Sequence, residues 1–159
     1  FDSILNHVCR LDMERSKKTG MPEDDFDKMP QPFRNTTVES VMAYMKAQFS
    51  YWTEDETACN FRRMLTLEQY RNPEMANLYQ KVLASGPVNY IEDLFREMML
   101  SGTWLEGSPR QMAVEFFAPF YLLLSMSDAA SGKEEKEKVA VLFTTHLECF
   151  VETYAAKMP

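Results

Sequence analysis

The stretch SPRQMAVEFFAPFYLLLSMS, residues 108–127, decides the fold. Ser108 followed by Pro109 is a helix start: a side-chain cap, then a proline at the first helical position, where its missing N–H is not needed. From Pro109 to about Ser127, the residues Met112, Val114, Phe116, Phe117, Phe120, Tyr121, Leu122, Leu123, Leu124 and Met126 put apolar groups around most of the helix. Such a helix needs burial on nearly all sides. The whole chain has 159 residues, enough for one domain or two small ones. A domain of that size covers one face of the helix with its own elements, and the second face calls for a partner chain.

Reading downstream, Ser131-Gly132 makes a turn. Lys133/Glu137 and Glu134/Lys138 stand at four-residue spacing, which reads as a solvated helix start. A broad apolar stripe follows: Val139, Leu142, Phe143, His146, Leu147, Phe150, Val151 and Tyr154. Two consecutive helices are thus more apolar than a monomer needs, and a helix–helix dimer is expected.

Reading upstream, helical periodicity continues. Phe1 to Lys18 carries Ile4, Leu5, Val8, Leu11 and Met13 on one stripe, stopped by Gly20 and Pro22. Met21 to Asn35, with Pro22, Pro30 and Pro32, reads as a connector. Thr36 or Thr37 can cap a helix from Thr37 to Trp52, with Val38, Val41, Met42, Met45, Phe49 and Trp52 on one face. Glu54-Asp55-Glu56 starts a shorter helix to about Tyr70, through Phe61, Met64, Leu65 and Leu67. Asn72-Pro73-Glu74 opens the next, which Gly86-Pro87 kinks or breaks before it ends at Gly102. The expected class is all-α, with about six helices.

Composition bounds the function. The hydrophobic share is 45% and the charged share 26%, ordinary for a soluble globular chain. Glycine is rare at 5 residues, which favours long helices, and 12 methionines with 13% aromatics make an adaptable interior, a plain core or a ligand cavity. The formal charge is −7 and the longest basic runs are the pairs Lys17-Lys18 and Arg62-Arg63, so nucleic acid phosphates repel this chain. The apolar run Phe116–Leu124 is too short to span a bilayer and contains Pro119, so no membrane is expected. Cys9, Cys59 and Cys149 form neither a disulfide framework nor a metal set, and a reducing cytoplasm is the expected setting. The opening Phe1-Asp2-Ser3-Ile4-Leu5 has no signal peptide, no initiator methionine and no helix cap, and reads as a fragment of a longer chain.

Catalytic patterns are missing from the sequence. It has no glycine-rich phosphate loop, no nucleophile elbow and no Glu-x-x-His pair, so no enzyme, metal or cofactor is expected. His146, inside an apolar stripe, reads as a core or interface histidine before a ligand or a base. Cys59 and Cys149 read as small buried residues, with no adjacent cationic group to activate them.

The middle of the chain, Phe61-Arg62-Arg63-Met64-Leu65-Thr66-Leu67-Glu68-Gln69-Tyr70-Arg71-Asn72-Pro73-Glu74-Met75, resembles the end of helix six and the start of helix seven in the tetracycline-repressor (TetR/AcrR) family of bacterial transcriptional regulators. Leu78-Tyr79, Gly86-Pro87, Leu94-Phe95 and Gly102 continue the pattern. Pro109, Ala113, Phe117, Pro119 and Tyr121 are similar to the family's eighth helix, and Phe1 to Leu5 to its fourth. The resemblance implies a regulatory domain over residues 1–159, without the helix-turn-helix that reads operator DNA in the major groove. That reader would lie upstream of Phe1.

The resemblance further implies a homodimer through Pro109–Ser127 and Lys133–Lys157, packed as a four-helix bundle. Its interface candidates are Met112, Phe116, Leu123, Leu142, His146, Cys149, Phe150 and Thr153. It implies an effector pocket for a small apolar or aromatic molecule, with candidate lining residues Met45, Phe49, Trp52, Phe61, Met64, Tyr90, Leu94, Phe117 and Tyr121. Tyr90, Tyr121 and Trp52 each add a polar handle. A ligand there would shift the population of two arrangements of the first helix and so the spacing of the two readers. Arg62 and Arg63 read either as surface salt-bridge partners or as contacts to the missing reader. The rival expectation is a stand-alone helical dimer with a filled core, acting as an interaction module.

Overall fold

Side-chain caps mark where the chain turns into helix. The computed structural model describes residues 36–156. Over these, α1 spans Val38–Glu54, α2 Glu56–Glu68, α3 Pro73–Leu83, α4 Ser85–Leu100, α5 Pro109–Ala129 and α6 Gly132–Tyr154. The described residues contain no strand, and an isolated antiparallel bridge joins Trp104 to Ala155. The expected helix Phe1–Lys18, the connector Met21–Asn35 and the last expected helical residue, Lys157, lie outside the described residues.

Four of the six described helices, α1, α2, α3 and α5, open on such a cap. Thr37 and Ser40 form a reciprocal capping box at α1. Asp55 accepts from the Ala58 N–H at 2.8 Å and serves both as the end of α1 and the cap of α2. Asn72 accepts from the Glu74 N–H at 2.8 Å ahead of Pro73 at the first turn of α3. Ser108 accepts from the Gln111 N–H at 3.3 Å ahead of Pro109.

The expected interruption at Gly86-Pro87 is a break displaced toward the N-terminus. Ala84, at φ −132° and ψ −97°, separates α3 from α4. Gly86 and Pro87 then sit inside the first turn of α4, where a proline loses no helical hydrogen bond. Gly86 is needed for space: a Cβ on it would lie 1.9 Å from the Lys81 carbonyl oxygen. At the far end of α4, Gly102 takes φ 76°, the left-handed conformation that stops a helix.

The helices wrap around α5. It packs on α4 and α6 most extensively, and on α1. Rings make the contacts. Phe116 meets Phe95 of α4 at 5.2 Å and Phe150 of α6 at 4.8 Å. Phe120 meets Phe49 of α1 at 5.8 Å and Phe143 of α6 at 5.4 Å. Trp104, in the loop between α4 and α5, closes one end of this seam against Phe95 and Phe150. Its indole N–H points at Met98 Sδ, 3.0 Å away, and the loop is pinned by Leu105 N–H to Tyr154 O at 2.8 Å.

Pro119 lies inside α5 and cannot donate to the Glu115 carbonyl one turn back. One residue along from that carbonyl, the Phe116 carbonyl accepts from His146 Nε2–H at 2.9 Å. This gives the histidine in the apolar stripe a structural role: it is half-buried among the rings of Phe116, Phe143 and Phe150 and ties α6 to the backbone of α5.

The tight approach at Gly86 yields a test. Gly86→Ala is expected to destabilise the fold by about 1–3 kcal/mol, because backbone stands where the methyl must go. Gly107→Ala, whose Cβ meets only Met112 Sδ at 3.8 Å, is expected to stay within about 0.5 kcal/mol of the parent. Urea denaturation of both variants checks this, and equal losses would refute the crowding argument.

Candidate functional site

The residues expected to line a pocket come from the inward faces of five helices. Met45, Phe49 and Trp52 sit on the buried face of α1 at helical spacing. Phe61 is buried on α2, Leu94 on α4 and Phe117 on α5. Met64 and Tyr90 are half-buried. Burial pushes the Tyr90 hydroxyl pKa up to about 12, so it stays a neutral donor at physiological pH. Tyr121 is 40% exposed, and its hydroxyl pairs with that of buried Tyr79 on α3. Burial first, then that bond, raises the Tyr79 pKa.

The open space lies elsewhere. A cleft of about 360 Å³ is bounded by the C-terminal half of α1, the end of α5 and the N-terminal half of α6. Of the expected lining residues it includes Phe49 alone. The Phe49 ring stacks on Phe143 at 4.7 Å along its wall. Ser50, Ser127, Ala140 and Thr144 also line it, with Lys46 and Lys136. The sequence reading passed over these because they lie off the apolar stripes. The usable signal was small and hydroxyl residues recurring beside each stripe.

The expected interface residues divide. Met112, Phe116, Leu123 and Phe150 are buried inside the chain's own core. An apolar helix shows in sequence that it is covered, not by which chain. Leu142, Cys149 and Thr153 do face outward, and His146 is half-buried beside them. Val141 is exposed on α6 as well, and Val114, Leu122 and Met126 are exposed on α5. Val141, Leu142 and Leu122 are exposed by 63%, 51% and 59%, apolar surface that needs an explanation. Cys59, expected to be buried, is buried and donates its thiol to the Trp52 carbonyl at 3.2 Å, whereas Cys149 is exposed.

Arg62 and Arg63 have a structural assignment. Arg62 spans to Asp128 at the end of α5 through two bonds of 2.7 and 2.8 Å, and donates to the Trp52 carbonyl at 3.2 Å. Arg63 adds two more bonds, of 2.8 and 3.2 Å, to the same carboxylate. Arg62 is 6% exposed and Asp128 28%, so this pair is shielded where most of the surface pairs are not. Burial opposes the Asp128 charge, but the hydrogen bonds from Arg62 and Arg63 outweigh it and hold the carboxyl below its usual range.

No group of three or more histidine, cysteine or acidic residues gathers for a metal among the described residues. By length and composition α5 is apolar enough to cross a membrane. Its buried side packs inside the fold, as a core helix does, so this is weak evidence for a span. No family model matches the chain, and no curated protein or solved structure matches it significantly.

Asp128→Asn is expected to cost about 2–4 kcal/mol at pH 7, since it leaves two arginines without their counter-ion. A lowered carboxyl pKa stabilises above its unfolded value near 4 and loses that contribution as pH falls through the folded value. The gap between parent and variant in urea denaturation should therefore close in acid. A gap independent of pH would reject the ion pair as its source.

Proposed function

We propose that this chain is the effector-sensing and dimerisation domain of a TetR-like transcriptional regulator, acting on operator DNA through a helix-turn-helix outside the chain. The observation that carries the reading is the exposure of Val114, Leu122 and Met126 on α5 and of Val141 and Leu142 on α6. These helices are consecutive and joined at Ala130-Ser131, so they run side by side as a hairpin. A second copy placed by a two-fold axis would lay these residues on their own copies and make a four-helix bundle. The residues quoted above for the family resemblance agree with that arrangement. In this reading α1, α2, α3, α4 and α5 surround the effector, and the effector shifts the spacing of the two readers by its different affinity for two arrangements.

The rival is an interaction module with a filled core. It is favoured by the depth at which Met45, Trp52, Phe61, Leu94 and Phe117 are buried, each 7% exposed or less. Both readings require the dimer, and they part on what lies upstream of Phe1. A basic three-helix segment encoded there supports the regulator, and its absence supports the module.

Leu122→Asp combined with Leu142→Asp is expected to weaken dimerisation by about a hundredfold or more, because each buries an unpaired charge at the two-fold contact. Both positions are exposed in the single chain, so helicity and thermal unfolding of the monomer should persist. Sedimentation equilibrium reads the outcome. A double variant that remains dimeric would remove these α5 and α6 residues as the interface.

A further inference from the structure

The cleft between α1, α5 and α6 carries a charge opposite to that of the chain. The protein is acidic, at −7 overall, yet Lys46, Lys133 and Lys136 line the cleft against two carboxylates, Glu54 and Glu137. Both carboxylates are engaged. Glu54 accepts from the Ser50 hydroxyl at 2.8 Å, and Glu137 faces Lys133 at 3.8 Å. Lys46 on α1 and Lys136 on α6 make no ion pair among the described residues. Two cations on different helices thus border one space.

The interior of the cleft supplies the second observation. Ser127 is 3% exposed, lines the cleft, and its hydroxyl makes no hydrogen bond with the described residues. Its oxygen is not sealed in the core but opens to the cleft, where it can donate to a bound group. Beside it lie the stacked rings of Phe49 and Phe143 and the methyl of Ala140. The volume of about 360 Å³ is at the small end of ligand sites.

We propose that this cleft binds a carboxylate carried on a short apolar body. Lys46 and Lys136 neutralise the head from two sides, and the Ser127 hydroxyl donates to a carboxylate oxygen. The body rests on Phe49, Phe143 and Ala140. A bare inorganic anion would leave the rings unused, and a neutral apolar molecule would leave the lysines and Ser127 unpaired. The assignment does not rest on the regulator reading, since it needs the cleft and its charges alone.

Calorimetric titration of the full 159-residue chain tests it, with octanoate, octanol and acetate as probes. Octanoate is expected to bind saturably, and octanol and acetate at least about tenfold more weakly. Lys46→Glu with Lys136→Glu should weaken octanoate by roughly tenfold or more. Lys138→Glu, at a residue paired with Glu134 at 2.8 Å away from the cleft, should leave it unchanged. Ser127→Ala should weaken octanoate and spare octanol. All the lysines are exposed, so these variants keep the fold, which thermal unfolding verifies. Octanol binding as tightly as octanoate, no saturable octanoate heat, or a Lys46/Lys136 variant with parental affinity would each overturn the proposal.

Discussion

The burial demand of α5 governs the rest of the structure. It is 21 residues long and apolar around most of its circumference. Fully burying one large apolar side chain contributes roughly 1.5–3 kcal/mol. Eight residues of α5 are buried, most of them large and apolar, so covering this helix outweighs any single polar contact in the fold. Phe116 is met by α4 and α6, Phe120 by α1 and α6, and Tyr121 by Tyr79 of α3. The sector left over is the strip of Val114, Leu122 and Met126. The proposed dimer is the same demand continued past the edge of one chain.

Two polar devices keep so apolar a helix in register. Near its middle, His146 from α6 donates to the Phe116 carbonyl. At its end, Asp128 is held by Arg62 and Arg63 of α2, and Arg62 also binds the end of α1. Rings slide over one another with little directional preference, whereas a hydrogen bond to a fixed carbonyl or a two-pronged arginine–carboxylate pair admits one geometry. Packing thus supplies most of the stability, and these contacts select the arrangement. The arginine tie joins α1, α2 and α5 at the end of the fold where the cleft also opens, so the cleft walls are held by the same cluster.

The helix starts were legible because each depends on neighbours in sequence. Thr37, Asn72-Pro73 and Ser108-Pro109 act within three residues of the helices they open. The stripes of α1 and α4 were legible for the same reason, since a period near 3.6 states which side is apolar. Trp104 was not, because a loop residue has no period; its burial depends on Phe95 and Phe150, which lie in different helices. Nor was the partnership of Arg62 with Asp128, 66 positions away, for charges carry no signature of distant pairing.

The sequence by itself determined an all-α chain, the breaks at its prolines and glycines, and the excess of apolar surface on its last two helices. Those are local properties, fixed by dihedral preference, capping and periodicity. The tertiary structure alone decided what covers each apolar face. It turned Met112, Phe116, Leu123 and Phe150 inward, left Val141, Leu142 and Leu122 outward, and put the open cleft beside Phe49 rather than among the other aromatic and methionine residues. The reason is that neighbouring positions on one helix can be equally apolar while facing different helices or none, and that choice is made when all the helices compete for the same contacts.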